Sequence, residues 1–270
     1  NFAEKELGLT PTKNYTTYVD LKRPYVSWIV HASPTFALKH HLWHFPFVGD
    51  LPYKGFFSER EAIEEAAAFP NNQFDTYIRG VTAYSTLGWF EDPLLNTMMN
   101  YSDHDLVNLI IHETTHSTLY IKSQADFNEQ LATFVGNLGT HLYYLKEEGN
   151  NSFTLQTIEK EQHDEQIFSH FLTQEMDLLE EWYLKENQEK SLQKKENRLE
   201  EIKFRFKSQI VPQLQTRSYT YFDHQKLNNA FLLSLKTYVY DLSIFQQVFE
   251  KLQKDFPRFI KLCKSLEKEK

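Results

Sequence analysis

The chain has 270 residues, 41% of them hydrophobic, with 22 Phe, 15 Tyr and 4 Trp, enough for one large domain or two unequal lobes and too much for disorder. A formal net charge of −8 argues against a nucleic-acid partner and supplies no polybasic patch for a membrane. The single cysteine, Cys263, excludes an intrachain disulfide framework and a cysteine-rich zinc site.

All eight glycines lie at or before Gly149, and Pro212 is the first proline after Pro93. The chain therefore divides near residue 150 into a turn-rich, mixed α/β part (1–150) and a helical part (151–270). The implied fold class is α+β, predominantly α, with a small sheet.

In chain order, Tyr25–Val30 is β-branched and alternating, which predicts a strand. His40, His41 and His44 cluster at a spacing that fits no standard metal site and read as surface or core histidines. Ser58-Glu59-Arg60-Glu61 has the form of a capping box opening an Ala-rich helix that ends near Pro70. Thr76–Trp89 predicts a strand bent at Gly80, and Asp92-Pro93 the start of a short helix. Ser102-Asp103-His104-Asp105 opens the next helix.

That helix carries His112-Glu113-Thr114-Thr115-His116, an HExxH pattern. Residues four apart share a helix face, so both imidazoles point the same way and form half of a tetrahedral zinc site. Glu113 follows the first histidine, beside a metal and not on it, where a general base would act on water. A third ligand is required, and Phe127-Asn128-Glu129 supplies a carboxylate on the following predicted helix. Asp126-x-x-Glu129 also fits a capping box, in which Glu129 would serve only the helix end. HExxH followed by Asn-Glu resembles the gluzincin class of metallopeptidases, with an unusually short gap between His116 and Glu129.

Beyond the zinc motif, Thr154–Ile210 reads as charge-rich helix, with Ile167, Phe168, Phe171, Leu172, Met176, Leu179 and Trp182 on one stripe. The polar run Lys185–Lys195 reads as a solvated face or exposed turn. Further helices are predicted over Asp223–Asp241, Ser243–Asp255 and Pro257–Glu267.

Nearly end to end, the chain resembles a bacterial family of zinc-dependent aminopeptidases. The resemblance rests on Phe2-Ala3 with Glu6-Leu7-Gly8-Leu9, Arg23-Pro24-Tyr25-Val26, Phe45-Pro46-Phe47-Val48-Gly49 with Tyr53-Lys54-Gly55-Phe56-Phe57, Ala83–Pro93, the HExxH motif His112–His116, Phe127-Asn128-Glu129 with Ala132-Thr133, and Asn228-Asn229-Ala230. It departs from the family in two places. His44 and Asp50 stand near positions usually held by cysteines, and Thr114-Thr115 replaces Leu-Ala inside HExxH.

The resemblance implies one zinc per chain on His112, His116 and Glu129, with Glu113 as general base. Asn128 and Thr133 are expected to support the ligands. Tyr84, Ser85, Thr86, Leu87 and Gly88 form an expected substrate-binding edge strand, with Asn229 also expected to meet substrate. Tyr238, Tyr221, His224 and His141 are candidates for the oxyanion donor, and Glu91 or Asp92 for capture of a free α-amine. The partner is expected to be a peptide or protein, with no nucleic acid and a monomeric chain.

Two other readings stand beside the aminopeptidase. One is an endopeptidase of the same chemistry; the other is a non-catalytic, helix-rich envelope protein with a structural or vestigial zinc. No window approaches the apolar length of a bilayer span. Asn1 without an initiator Met, and the targeting segment usual in the family, often of lipoprotein type, imply removal of an upstream segment and a place in the bacterial envelope or periplasm, lipid-anchored where that type applies.

Overall fold

The computed structural model describes residues 2–46, 49–83, 91–122, 124–185, 191–236 and 242–266. In chain order these form α1 (Phe2–Lys5), β1 (Tyr18–Val19), β2 (Ser27–Pro34), β3 (Trp43–Phe45), β4 (Gly49–Leu51), β5 (Lys54–Phe56), α2 (Glu59–Ala67), β6 (Phe74–Val81) and β7 (Leu94–Leu95). The remainder is helical: α3 (Asp103–Thr118), α4 (Ala125–Glu148), α5 (Phe153–Lys185), α6 (Leu192–Arg205), α7 (Asn229–Lys236), α8 (Ser243–Lys251) and α9 (Phe256–Leu266). The fold is α+β and predominantly helical, as the composition implied. No helix among the described residues is long and apolar enough to cross a membrane.

The chain packs into two units, each assembled from separated segments: Asn1–Val26, Thr82–Ile158 and Tyr240–Lys270 in the first, Ser27–Val81 and Glu159–Val239 in the second.

The first unit is built on the α3–α4 pair. Asn108 faces Asn137 across the pair at 2.8 Å, while His116 faces Glu129, so the helices run antiparallel. Two glycines of α4 allow the approach. A Cβ on Gly139 would lie 2.8 Å from Leu7 Cδ1 and 3.2 Å from Ile111 Cγ2, and one on Gly136 would lie 3.0 Å from Asn108 Oδ1. Below the pair, Ile111, Leu131, Phe134 and Val135 pack on Leu7 and Leu9 from one end of the chain and on Phe245, Phe249, Phe259 and Ile260 from the other. The Phe134 ring stacks on Phe245 at 5.8 Å and meets Phe259 at 5.4 Å. On another side of α3, the parallel pair Tyr18↔Leu94 and Val19↔Leu95 ties the segment after α1 to the segment after residue 91.

The second unit holds the antiparallel sheet β5-β2-β6, with β2 buried along nearly its full length. Trp28, Val30 and Ala32 of β2 pack with Ala62 and Ala66 of α2. The predicted stripe of α5 is buried at Phe168, Phe171, Leu172, Met176 and Leu179, against Leu199, Ile202, Phe206, Phe222 and Phe231. Lys195 is buried against Asp75 at 2.5 Å, a pair that also takes the Asn229 backbone N–H.

Several local expectations change. The first long strand starts at Ser27, where pairing with Val81 of β6 begins, and runs to Pro34; Tyr25 is exposed. Ser58 occupies the N-cap of α2, yet its hydroxyl caps nothing, so the box is not formed. Asp92-Pro93 leads into β7 and not directly into a helix; a short 3-10 turn follows at Asn96–Met98. Between Phe222 and His224 there is only a 3-10 turn. The helix predicted from Asp223 begins at Asn229, where Asn228 Oδ1 accepts the Phe231 N–H at 2.8 Å. α5 ends at Lys185 and α6 begins at Leu192, within the polar run. Of the three clustered histidines, His44 meets Asp50 at the surface at 2.8 Å, and His41 lies edge-on to Trp43, Phe69 and Phe74. His40 is partly buried, which pushes its pKa down.

Candidate metal centre

α3 begins where Ser102 Oγ accepts the Asp105 N–H at 3.2 Å, with Asp103 and Asp105 in the positive first turn. It ends in a run of hydroxyl residues that close on their own helix. Thr114 donates to Ile110 O at 2.6 Å, Thr115 to Ile111 O at 2.8 Å, Ser117 to Glu113 O at 3.2 Å and Thr118 to Thr114 O at 2.8 Å. Thr114 and Thr115 are thus buried and satisfied where the resembling family carries Leu-Ala, and neither points a polar atom at the ligands.

The turn from α3 to α4 is held by Asn128. This wholly buried side chain accepts from the Ile121 N–H at 2.9 Å and donates to the Ile121 C=O at 2.8 Å. It makes no hydrogen bond to either histidine; its contribution is to shape the short connection that brings α4 back beside α3. α4 starts at Ala125, so Asp126 and Glu129 lie inside the helix and the capping-box alternative does not form. Asn128→Ala would leave the buried Ile121 N–H and C=O bare. It is expected to cost about 1–3 kcal/mol for each group, read as a lower denaturant midpoint with an unchanged slope.

With the turn so held, three donor atoms converge. His112 Nε2 and His116 Nε2 are 3.2 Å apart, and the Glu129 oxygens lie 3.5 Å from the first and 3.4 Å from the second. Zinc–ligand bonds of about 2.0–2.1 Å in a tetrahedron place neighbouring donors about 3.3–3.4 Å apart. The triangle therefore has the dimensions of one face of a tetrahedral zinc site, and the donor set of two imidazoles and one carboxylate suits that ion. Burial pushes the Glu129 carboxyl up, but the hydrogen bonds and charges of His112 and His116 outweigh it and bring the pKa down to about 2.

Glu113 stands on α3 outside the triangle and forms no side-chain hydrogen bond among the described residues. Tyr120 sits at the rim, its ring 6.1 Å from that of His116. Among the described residues, His116 Nδ1 is buried without a hydrogen-bond partner and Thr133 forms no side-chain hydrogen bond.

The other expected site residues are placed as follows. Tyr84, Ser85, Thr86, Leu87, Gly88 and Tyr238 lie outside the described residues. His141 is on α4, twelve residues past Glu129, which is about 18 Å along the helix and out of reach of the triangle. Tyr221 and His224 belong to the second unit, where His224 stands at the surface 3.5 Å from Asp223. Asn229, expected to meet substrate, is wholly enclosed in the second unit. Its Oδ1 accepts from Tyr183 at 2.7 Å, and its Nδ2 donates to the carbonyls of Pro34, Thr35 and Ala37. That amide is committed to holding α7 on the end of β2. Glu91 pairs with Lys13 at the surface at 3.2 Å, and Asp92 is buried with its backbone bound by Asn14 and Tyr15.

Tyr15 was not anticipated. Its ring is buried with Val26, Leu95 and Met98, against Leu106, Leu109 and Ile110 of α3. No periodicity or motif marks it in the sequence, because the residue reaches α3 from more than ninety positions away.

A family model described as "Putative aminopeptidase" matches residues 1–270. The searches of curated proteins and of solved structures gave no match.

Proposed function

The chain belongs to this aminopeptidase family, and from that premise we propose that it is a zinc-dependent, gluzincin-like peptidase that removes residues from the free amino end of peptides. The observation that carries the metal half of the reading is the convergence of His112 Nε2, His116 Nε2 and Glu129 within 3.2–3.5 Å, with Glu113 beside the triangle. Zinc held by those three residues would supply a Lewis acid and lower the pKa of water to about 7.

The chain's own residues divide the remaining work. His112 and His116 would offer their Nε2 atoms to the metal, and Glu129 contributes the negative charge that favours a divalent cation. Glu113 accepts a proton from the attacking water and returns it to the departing amine nitrogen, so one carboxylate serves first as base and then as acid. Residues 84–88 would take up the peptide substrate by its main chain.

The test joins metal content to end-group requirement. Purified protein should contain about one zinc per chain and release amino-terminal residues from free-amine peptides. Chelator should abolish the activity and added zinc should restore it. Peptides with an acetylated amino end should be refused. Activity undiminished after complete metal removal would end the metal reading, and equal cleavage of acetylated peptides would replace the exopeptidase with an endopeptidase.

A further inference from the structure

We propose that Tyr15 is a positioning residue for Glu113, its hydroxyl donating a hydrogen bond to the Glu113 carboxyl and fixing which oxygen faces the substrate. The inference rests on Glu113 being the general base.

Four observations converge on it. First, the Tyr15 hydroxyl is buried and has no hydrogen-bond partner among the described residues, which for a phenol is a cost normally removed by an acceptor. Second, the ring belongs to an apolar cluster against which Leu106, Leu109 and Ile110 pack. These residues precede Glu113 by seven, four and three positions, so Tyr15 lies along the α3 face that carries Glu113. Third, the segment bearing Tyr15 is strapped to α3 around the HExxH turn. The Thr10 N–H donates to Thr118 Oγ1 at 2.9 Å and Asn14 Nδ2 donates to Ser117 Oγ at 3.3 Å. Asn14 Oδ1 also accepts the Asp92 N–H at 3.1 Å, and the Tyr15 N–H donates to Asp92 O at 2.6 Å. Fourth, Tyr15 adopts φ 61°, a left-handed backbone that a bulky aromatic seldom takes unless its surroundings impose it.

Charge agrees with this placement. Burial, then the nearby carboxylates of Glu113 and Asp92, push the phenol pKa far up, so the group remains an O–H donor at any working pH. Glu113 is partly accessible and forms no side-chain hydrogen bond among the described residues, so its carboxyl can accept the phenol's hydrogen bond. A base oriented by a third group is a recurring device in hydrolytic sites, and loss of such an orienting partner typically costs about 10–100-fold in activity.

The experiment compares Tyr15→Phe in two backgrounds. Phenylalanine keeps the ring among Val26, Leu95 and Met98, so folding and zinc content should match wild type, checked by melting temperature and elemental analysis. On a free-amine peptide, kcat should fall about 10-fold or more while KM stays put, because the lost contact is to the base and not to the substrate. In a Glu113→Asp background the carboxylate is one methylene shorter and drawn back from Tyr15. There Tyr15→Phe should cost little further, an antagonism that a general loosening of the site would not produce.

Wild-type kcat for Tyr15→Phe, or equal losses in both backgrounds, would overturn the proposal, the second outcome pointing to Asp92 or to packing as the reason for the residue. If Tyr15→Phe melts well below wild type, the antagonism measured between the two folded variants still decides the matter. The two readings fail separately. A fully active Glu113→Gln protein would remove the general base itself, whereas an inactive Glu113→Gln beside a fully active Tyr15→Phe would remove only the positioning role.

Discussion

Glu113→Gln should leave the metal centre filled and lower hydrolysis by about 10²–10⁴-fold or more. Glutamine keeps the shape of the side chain and can still hydrogen-bond to water, but it cannot accept water's proton. Nothing that holds the donor triangle depends on residue 113: the triangle is set by His112, His116 and Glu129, by the hydroxyl back-bonds of α3 and by the Asn128 clasp. Zinc content by elemental analysis should therefore remain near one per chain and the melting temperature should hardly move. A zinc-loaded, fully active Glu113→Gln protein would refute the base assignment while sparing the metal site. Loss of zinc in that variant would show that Glu113 is itself a ligand.

The other large effect belongs to the histidines. Replacing His112 or His116 by Ala removes one corner of a triangle whose sides are 3.2–3.5 Å and leaves two protein donors. A zinc site with fewer than three protein ligands holds its ion weakly, so stoichiometric zinc and all hydrolysis should disappear together. Glu129→Gln should lose less, because an amide oxygen can still approach the ion although it brings no charge. Dialysis against a metal-free buffer followed by elemental analysis separates the cases. Full occupancy in a His112→Ala/His116→Ala double variant would show that the ion sits elsewhere.

What could be read in the amino-acid order alone follows the range of the interactions involved. His112 and His116 lie one helical turn apart, so their common face was visible in the spacing. Glu129 follows after a turn so short that an antiparallel return was the natural reading. The helical stripe of α5 was equally plain, and Phe168, Phe171, Leu172, Met176 and Leu179 are buried where the pattern put them, while Trp182 at its end is only partly so. Long-range hydrogen bonding was not legible. Asn128 lies beside Glu129 in the motif and looked like a partner of the ligands, but both ends of its amide go to the Ile121 backbone. Asn229 was assigned to substrate on resemblance, which transfers a residue's identity without its geometry; four hydrogen bonds consume its amide within the second unit. Tyr15 gave no signal at all, since its importance arises only when the segment from Thr10 to Tyr15 is laid against α3.

The discontinuity of the first unit has a consequence for the order of events on the ribosome. All three donors are translated within one stretch, from His112 to Glu129, and could meet as soon as α3 and α4 are free of the exit tunnel. Their foundation cannot. Phe134 awaits Phe245 and Phe259, more than a hundred residues downstream, so an apolar face of the newborn hairpin stays bare while the whole intervening segment is made. Vectorial synthesis thus exposes a sticky, half-built site while more than a hundred further residues are made. A nascent chain stalled before α8 would carry every ligand and yet lack the floor beneath them, making it a natural client for chaperones and a poor holder of metal.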